Sequence, residues 1–125
     1  MLGSTNIVAF APTTDAAKAK AFYEGQLGLR FVSDDGFALV FDANGTMLRV
    51  ARVGELSPAP FTILGWQVDA IDTVVAGLHA RGVRFERYGF LEQDALGVWV
   101  APDGGAKVAW FKDPDGNTLS VSQHG

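Results

Sequence analysis

A chain of 125 residues that is 48% hydrophobic and 19% charged has the length of one domain and enough apolar content to build a core, which excludes a mainly disordered polymer. Its net charge of −4, with ten Lys and Arg residues spread without a cluster, leaves no footprint for a nucleic-acid backbone. Without cysteine there is no disulfide, thiolate metal site or thiol nucleophile; no apolar run approaches the roughly 20 residues that span a bilayer, Met1-Leu2-Gly3-Ser4 lacks the makings of a signal peptide, and a cytoplasmic protein is expected.

Residues 7–12 read as a strand, and the stretch Pro12-Thr13-Thr14-Asp15 that follows supplies a chain break with hydroxyl and carboxylate N-cap candidates. A helix is predicted over 15–26, ending at Gly28 in the left-handed conformation. Residues 29–33 return as a strand, Asp34-Asp35-Gly36 marks a turn, and 37–41 and 46–53 form strands joined by a hairpin at Ala43-Asn44-Gly45. Pro58 and Pro60 make residues 55–60 a linker, because proline disfavours both helix and ladder pairing.

The second half repeats the order. A strand over 61–68 precedes a helix whose Ile71, Val74, Val75 and Leu78 form one apolar stripe. Gly82 ends it, a strand follows over 83–88, and strands over 106–112 and 118–123 close on the turn Asp113-Pro114-Asp115-Gly116. Superposing Asp42 on Asp113 (113 − 42 = 71) also brings Gly45, Leu48 and Val50 onto Gly116, Leu119 and Val121. Gly28-Leu29-Arg30-Phe31 matches Gly82-Val83-Arg84-Phe85 at an offset of 54 (82 − 28). The second half therefore carries an insertion, residues 89–105, whose apolar piece Val98-Trp99-Val100-Ala101 is either an extra short strand or a rim loop.

The chain thus reads as an α+β domain over 1–125, built from two βαβββ units at about 5–54 and 61–124 that form a curved mixed sheet around a concave cavity, helices outside. Period-two alternation sends Leu119 and Val121 under a helix and Ser120 toward the cavity; by the repeat, Leu48 and Val50 go under the other helix and Arg49 turns inward. Trp66 belongs to the core and its neighbour Gln67 to the concave side. Phe10, Phe37 and Leu39 are expected to line the same cavity. Arg49 has two readings: a strand arginine that reaches solvent or a carboxylate such as Glu92 or Asp94, or an anchor for a ligand anion. Asp34 and Asp35 fall in a turn, and His79 and His124 lie apart, so neither pair offers acid/base or metal chemistry.

Phe22-Tyr23 before Leu27-Gly28, and Trp110-Phe111-Lys112-Asp113-Pro114-Asp115-Gly116-Asn117 before the last strand, resemble the vicinal oxygen chelate superfamily. That superfamily includes glyoxalase I, extradiol dioxygenases, fosfomycin-resistance enzymes and bleomycin-binding proteins. The resemblance covers nearly the whole chain. It places Trp110 on the inward face, implies a homodimer, and assigns the metal-ligand positions of the family's enzymes to Val8, Arg49, Ile63 and Ser120. None of these is a usual ligand: valine and isoleucine offer no lone pair, serine is weak alone, and a guanidinium repels a cation. The expectation is a protein with no cofactor, binding a small apolar or aromatic molecule, with an anionic end if Arg49 serves as anchor. An enzyme of the lyase, isomerase or dioxygenase type using unaligned ligands such as Glu86, Glu92 or His124, and a dimeric scaffold without a ligand, are the alternatives.

Overall fold

Thr13 and Asp15 decide where the first helix begins. In the computed structural model, which describes residues 1–125, strand β1 (Val8–Thr13) ends on Thr13, whose hydroxyl accepts from the Asp15 amide at 3.1 Å. The Asp15 carboxylate accepts from the Lys18 amide at 3.1 Å and so caps α1 (Ala16–Lys20). The single helix expected over 15–26 is not uniform. From Ala21–Gln26 the helix widens to π geometry, with the Leu27 amide donating to the Phe22 carbonyl five residues back at 2.9 Å. Adjacent residues of an α-helix diverge by about 100°; here Phe22 and Tyr23 are both buried, their rings edge to face at 5.3 Å.

The chain forms two compact units, Met1–Ser57 and Pro58–Gly125. The first continues through β2 (Arg30–Asp34), β3 (Ala38–Ala43) and β4 (Thr46–Arg52). Its mixed sheet runs β1-β4-β3-β2, with β1 parallel to β4 and the other pairs antiparallel. Asn44 and Gly45, at φ 51° and 92°, form the two-residue primed turn that matches strand twist. Leu48 and Val50 are buried with Ala11 and Phe41 on the face that α1 covers.

The second unit consists of β5 (Thr62–Gln67), α2 (Ile71–Ala80), β6 (Trp99–Val100), β7 (Ala106–Lys112) and β8 (Thr118–His124), with sheet order β5-β8-β7-β6. Ala70 has no side chain to cap α2. The cap comes from β8 instead, where Gln123 Oε1 accepts from the Ile71 amide at 3.0 Å. The apolar stripe of α2 faces the sheet, Ile71 and Val75 being buried with Leu119 and Val121. No helix is long and apolar enough to cross a membrane.

Two expectations are corrected. Residues 83–88 do not form a strand; they contribute one bridge, Phe85 to Phe111, and the Glu86 amide donates to the Trp110 carbonyl at 2.7 Å. The free edge of β7 is shared, because the insertion pairs Trp99 and Val100 with Val108 and Lys107 further along the same strand. The insertion therefore does hold an extra short strand, β6.

The second correction concerns Leu39. Leu48 and Leu119 are equivalent at an offset of 71 (119 − 48), but their cross-strand partners Phe41 and Phe111 are 70 apart (111 − 41). The turn Asp113–Asn117 is one residue longer than its counterpart, and a one-residue slip flips every side chain of a strand to the other face. The counterpart of Trp110 is thus Val40, which stands opposite Arg49 as Trp110 stands opposite Ser120. Leu39 pairs with Val50 and is buried on the helix side, so it does not line the open face.

Candidate functional site

In the first unit, register places Phe10 beside Arg49 on the open face, away from α1. Phe10 is 59% exposed there, and Met47 on the same face is also exposed. Phe37 lies outside the strands, exposed at the tip of the β2–β3 turn. Arg49 is answered within the unit: its Nη2 donates to Asp35 Oδ2 at 2.7 Å. Neither Glu92 nor Asp94 is its partner. Asp35 also accepts from the amides of Phe37 at 3.0 Å and Ala38 at 2.9 Å. Arg52 grips Asp34 with two bonds of 2.7 Å, and Asp34 accepts from the Gly36 amide at 2.9 Å. The Arg52 bonds, then the Gly36 amide, lower the Asp34 carboxyl to a pKa of about 2. Asp35 is lowered by Arg49 first and the two amides second. The Asp34-Asp35 pair is solvated, yet it is a clamp on the turn.

In the second unit, Gly65, Gln67, Trp110 and Ser120 fall on the open face, since Gly65 and Trp110 both stand opposite Ser120. Gly65 has a steric reason to be glycine: a Cβ there would sit 2.7 Å from the Ser120 hydroxyl oxygen. Gln67 is exposed at the far end of β5. Trp66 lies on the helix side, stacked on Phe111 with centroids 6.4 Å apart.

Around Trp110 the same face carries a cavity of about 320 Å³ lined by Pro60, Phe61, Thr62, Tyr88, Phe90, Leu91, Trp99, Trp110 and Thr118. Its rings hold one another: Tyr88 meets Trp110 edge to face at 5.6 Å, Trp99 meets Trp110 at 6.0 Å, and Tyr88 meets Phe90 at 5.7 Å. The insertion is the wall. Gln93 accepts from the Tyr88 amide at 2.8 Å and donates to the carbonyls of Glu86 at 2.9 Å and Gly97 at 2.8 Å. Arg87 donates to the Ala95 carbonyl at 2.7 Å, and Asp94 accepts from the amides of Leu96 and Val98, both at 2.9 Å. Burial, and secondarily the Glu86 carboxylate, push the Tyr88 phenol above its ordinary range, so it stays neutral. Of the site residues expected from sequence, only Trp110 lines this cavity; Ser120 lies beside it in register, buried. Tyr88, Phe90, Trp99 and Phe61 escaped sequence reasoning, although the triplet Tyr88-Gly89-Phe90 and the isolated Trp99 inside an insertion were the available signals.

The four positions aligned with metal ligands do not suit a metal. Val8 and Ile63 have no donor atom, Arg49 is a cation held by Asp35, and Ser120 has only glycine and tryptophan across from it. No three His, Asp or Glu side chains are grouped as a metal site requires.

A family model described as Glyoxalase/Bleomycin resistance protein/Dioxygenase superfamily matches residues 6–121. None of the curated proteins matches the chain. Among solved structures, a member of that superfamily from Sphaerobacter thermophilus superposes with a TM-score of 0.76 at 22% identity, over 99% of this chain and 100% of that one. A genomically encoded fosfomycin resistance protein from Listeria monocytogenes gives a TM-score of 0.75 at 13% identity, over 98% and 94%. Lactoylglutathione lyase from Agrobacterium tumefaciens gives 0.73 at 20%, over 96% and 93%. At these identities the likeness is one of fold.

Proposed function

The chain belongs to the Glyoxalase/Bleomycin resistance protein/Dioxygenase superfamily, and from that premise we propose that it works without a resident metal as a binding protein for a small, largely apolar or aromatic molecule. The observation that carries this reading is the aromatic cavity around Trp110, a concave apolar site with few polar points, as small-molecule sites commonly are. The donor-poor residues at the four aligned positions support the metal-free half of the proposal. An anionic end on the ligand has lost its main support, because the guanidinium meant for it is paired with Asp35.

A thermal-shift screen of aromatic and alicyclic small molecules tests the binding reading. Ligands at a hundred times their Kd should stabilise the protein by about 2.7 kcal/mol and raise its Tm by several degrees. Hits that lose their effect in Trp110→Ala support the cavity; a screen without hits counts against it. Elemental analysis showing about one zinc, iron, manganese or nickel per chain after dialysis against chelator would remove the metal-free half. We further propose a homodimer. Edge strand β1 leaves backbone groups unpaired, with Val8 and Phe10 exposed along it and Ile7 exposed just before it. A monomer mass by light scattering at micromolar concentration would overturn that.

A further inference from the structure

We infer that the cavity around Trp110 selects an organic cation, a quaternary or tertiary ammonium carried on an apolar body; the inference rests on the binding reading and narrows its ligand class.

The first ground is the lining. Five of the nine residues are aromatic, Phe61, Tyr88, Phe90, Trp99 and Trp110, and none carries a charge. Ring faces present negative electrostatic potential, and tryptophan is the best of them for holding a cation. Tyr88, Trp99 and Trp110 touch in series, edge to face at Tyr88 and tilted by 42° at Trp99, so the rings bound a space from several directions and are not stacked flat on one another.

The second ground is Glu86. Phe85 meets Phe111 on the helix side, Tyr88 meets Trp110 on the open side, and Glu86 lies between them in the chain, two residues before Tyr88. Its backbone is fixed at both ends, the amide on the Trp110 carbonyl and the carbonyl on Gln93 Nε2. Its side chain is half-buried and makes no hydrogen bond or ion pair within the chain, while its negative charge is felt at the Tyr88 hydroxyl. Asp34 and Asp35 are held by arginines, and in the insertion Asp94 and Asp103 accept from backbone amides, while Glu92 is exposed to solvent. A half-buried carboxylate without a partner, next to an aromatic cavity, leaves negative potential there for a ligand to answer.

The third ground is the placement of the basic groups. Arg87, next to Tyr88 in sequence, turns its guanidinium to the Ala95 carbonyl and lies outside the lining. Of the lysines and arginines on β5 to β8, only Lys112 shares the open face, and it is exposed at the end of β7 without lining the cavity. Nothing positive competes inside. An anionic ligand, by contrast, would meet the ring faces with no cationic group in the lining and only neutral donors, the hydroxyls of Thr62, Tyr88 and Thr118 and the indole N–H groups of Trp99 and Trp110.

The test uses the full chain and two probes of the same shape, benzyltrimethylammonium and its neutral isostere neopentylbenzene, titrated against tryptophan emission. The cation is expected to quench saturably and to bind about 5- to 30-fold more tightly than the isostere. Glu86→Gln should weaken the cation several-fold, leave the isostere unchanged, and leave Tm and the far-ultraviolet circular dichroism unchanged, because the side chain makes no bond to lose. Equal binding of both probes, or a cation indifferent to Glu86→Gln, overturns the cation inference while leaving an apolar cavity standing. Failure of the cation to bind also overturns it, and the fate of the broader binding reading is then read separately from the neutral probe and the aromatic screen.

Discussion

The two units follow one strand order and close the same corner by opposite means. In the first, the connection between β2 and β3 is short and charged: Asp34 and Asp35 are held by Arg52 and Arg49 on β4, and the tip carries an exposed Phe37. In the second, the corresponding place holds the insertion, folded back by Gln93 onto the backbone of residues 86–88 and closed by aromatic rings. Solvated ion pairs fix a turn but enclose nothing, since each charge stays near water. A polar side chain that satisfies three backbone groups can hold a longer loop away from the sheet and leave a cavity under it. The insertion gives one half of the repeat its aromatic cavity.

The largest test of the comparison lies in the core of each unit. Phe41 and Phe111 are equivalent by register and fully buried, so Phe41→Ala and Phe111→Ala should each cost about 3 to 5 kcal/mol in urea unfolding. Leu39→Ala should cost about 2 to 4 kcal/mol and leave ligand binding untouched, because Leu39 faces the helix side. If Leu39→Ala weakened binding without destabilising, the one-residue slip between β3 and β7 would be wrong.

Gln93→Ala breaks the second unit's own device. It strips partners from one amide and two carbonyls that are partly buried, and a loss of about 2 kcal/mol is expected. Hydrogen exchange at the Tyr88 amide should accelerate, and binding at the Trp110 cavity should fall while unit one keeps its protection. Unchanged exchange at Tyr88 would show that the aromatic contacts hold the insertion unaided.

Much of this was legible from residue order, and the failures have local causes. The cap of the first helix, the glycines Gly28 and Gly82 that end the helices, the Asn44-Gly45 turn and the faces of β4 and β8 follow from short-range chemistry. Leu39 was misplaced because its face is set by the register of β3 on β4, where it stands opposite the helix-side Val50. Strand 83–88 failed because sequence cannot say which of two segments wins a free sheet edge. The aromatic cavity was invisible because Phe61, Tyr88, Phe90, Trp99 and Trp110 are brought together by the insertion and not by any periodicity. Arg49 was assigned the right face but the wrong partner, since Asp35 reaches it only through the turn.

A smaller effect is expected from the charged clamp of unit one. Arg49→Met should lower Tm by no more than about 4 °C, a surface pair being worth little. It should not change binding at the Trp110 cavity. A ligand whose affinity dropped sharply in this variant would restore the anion-anchor reading.

The smallest effect is in acid. Asp34 has its folded pKa depressed to about 2 from 3.8, chiefly by the Arg52 bonds and then by the Gly36 amide. A carboxyl lowered in the folded state adds stability that is fully present above the unfolded value and is lost as pH falls through the folded one, so its contribution should fade between about pH 4 and 2 and be flat above about pH 5. Both partners are well exposed, and salt should shrink the effect further. Carboxyl-carbon NMR can follow Asp34 directly. Arg52→Met should raise its midpoint toward the ordinary aspartate range but not all the way, because the Gly36 amide still donates to it at 2.9 Å. A midpoint unmoved in Arg52→Met would mean the amide alone sets the acidity, and the turn of unit one would then be held by its backbone and not by the charges on β4.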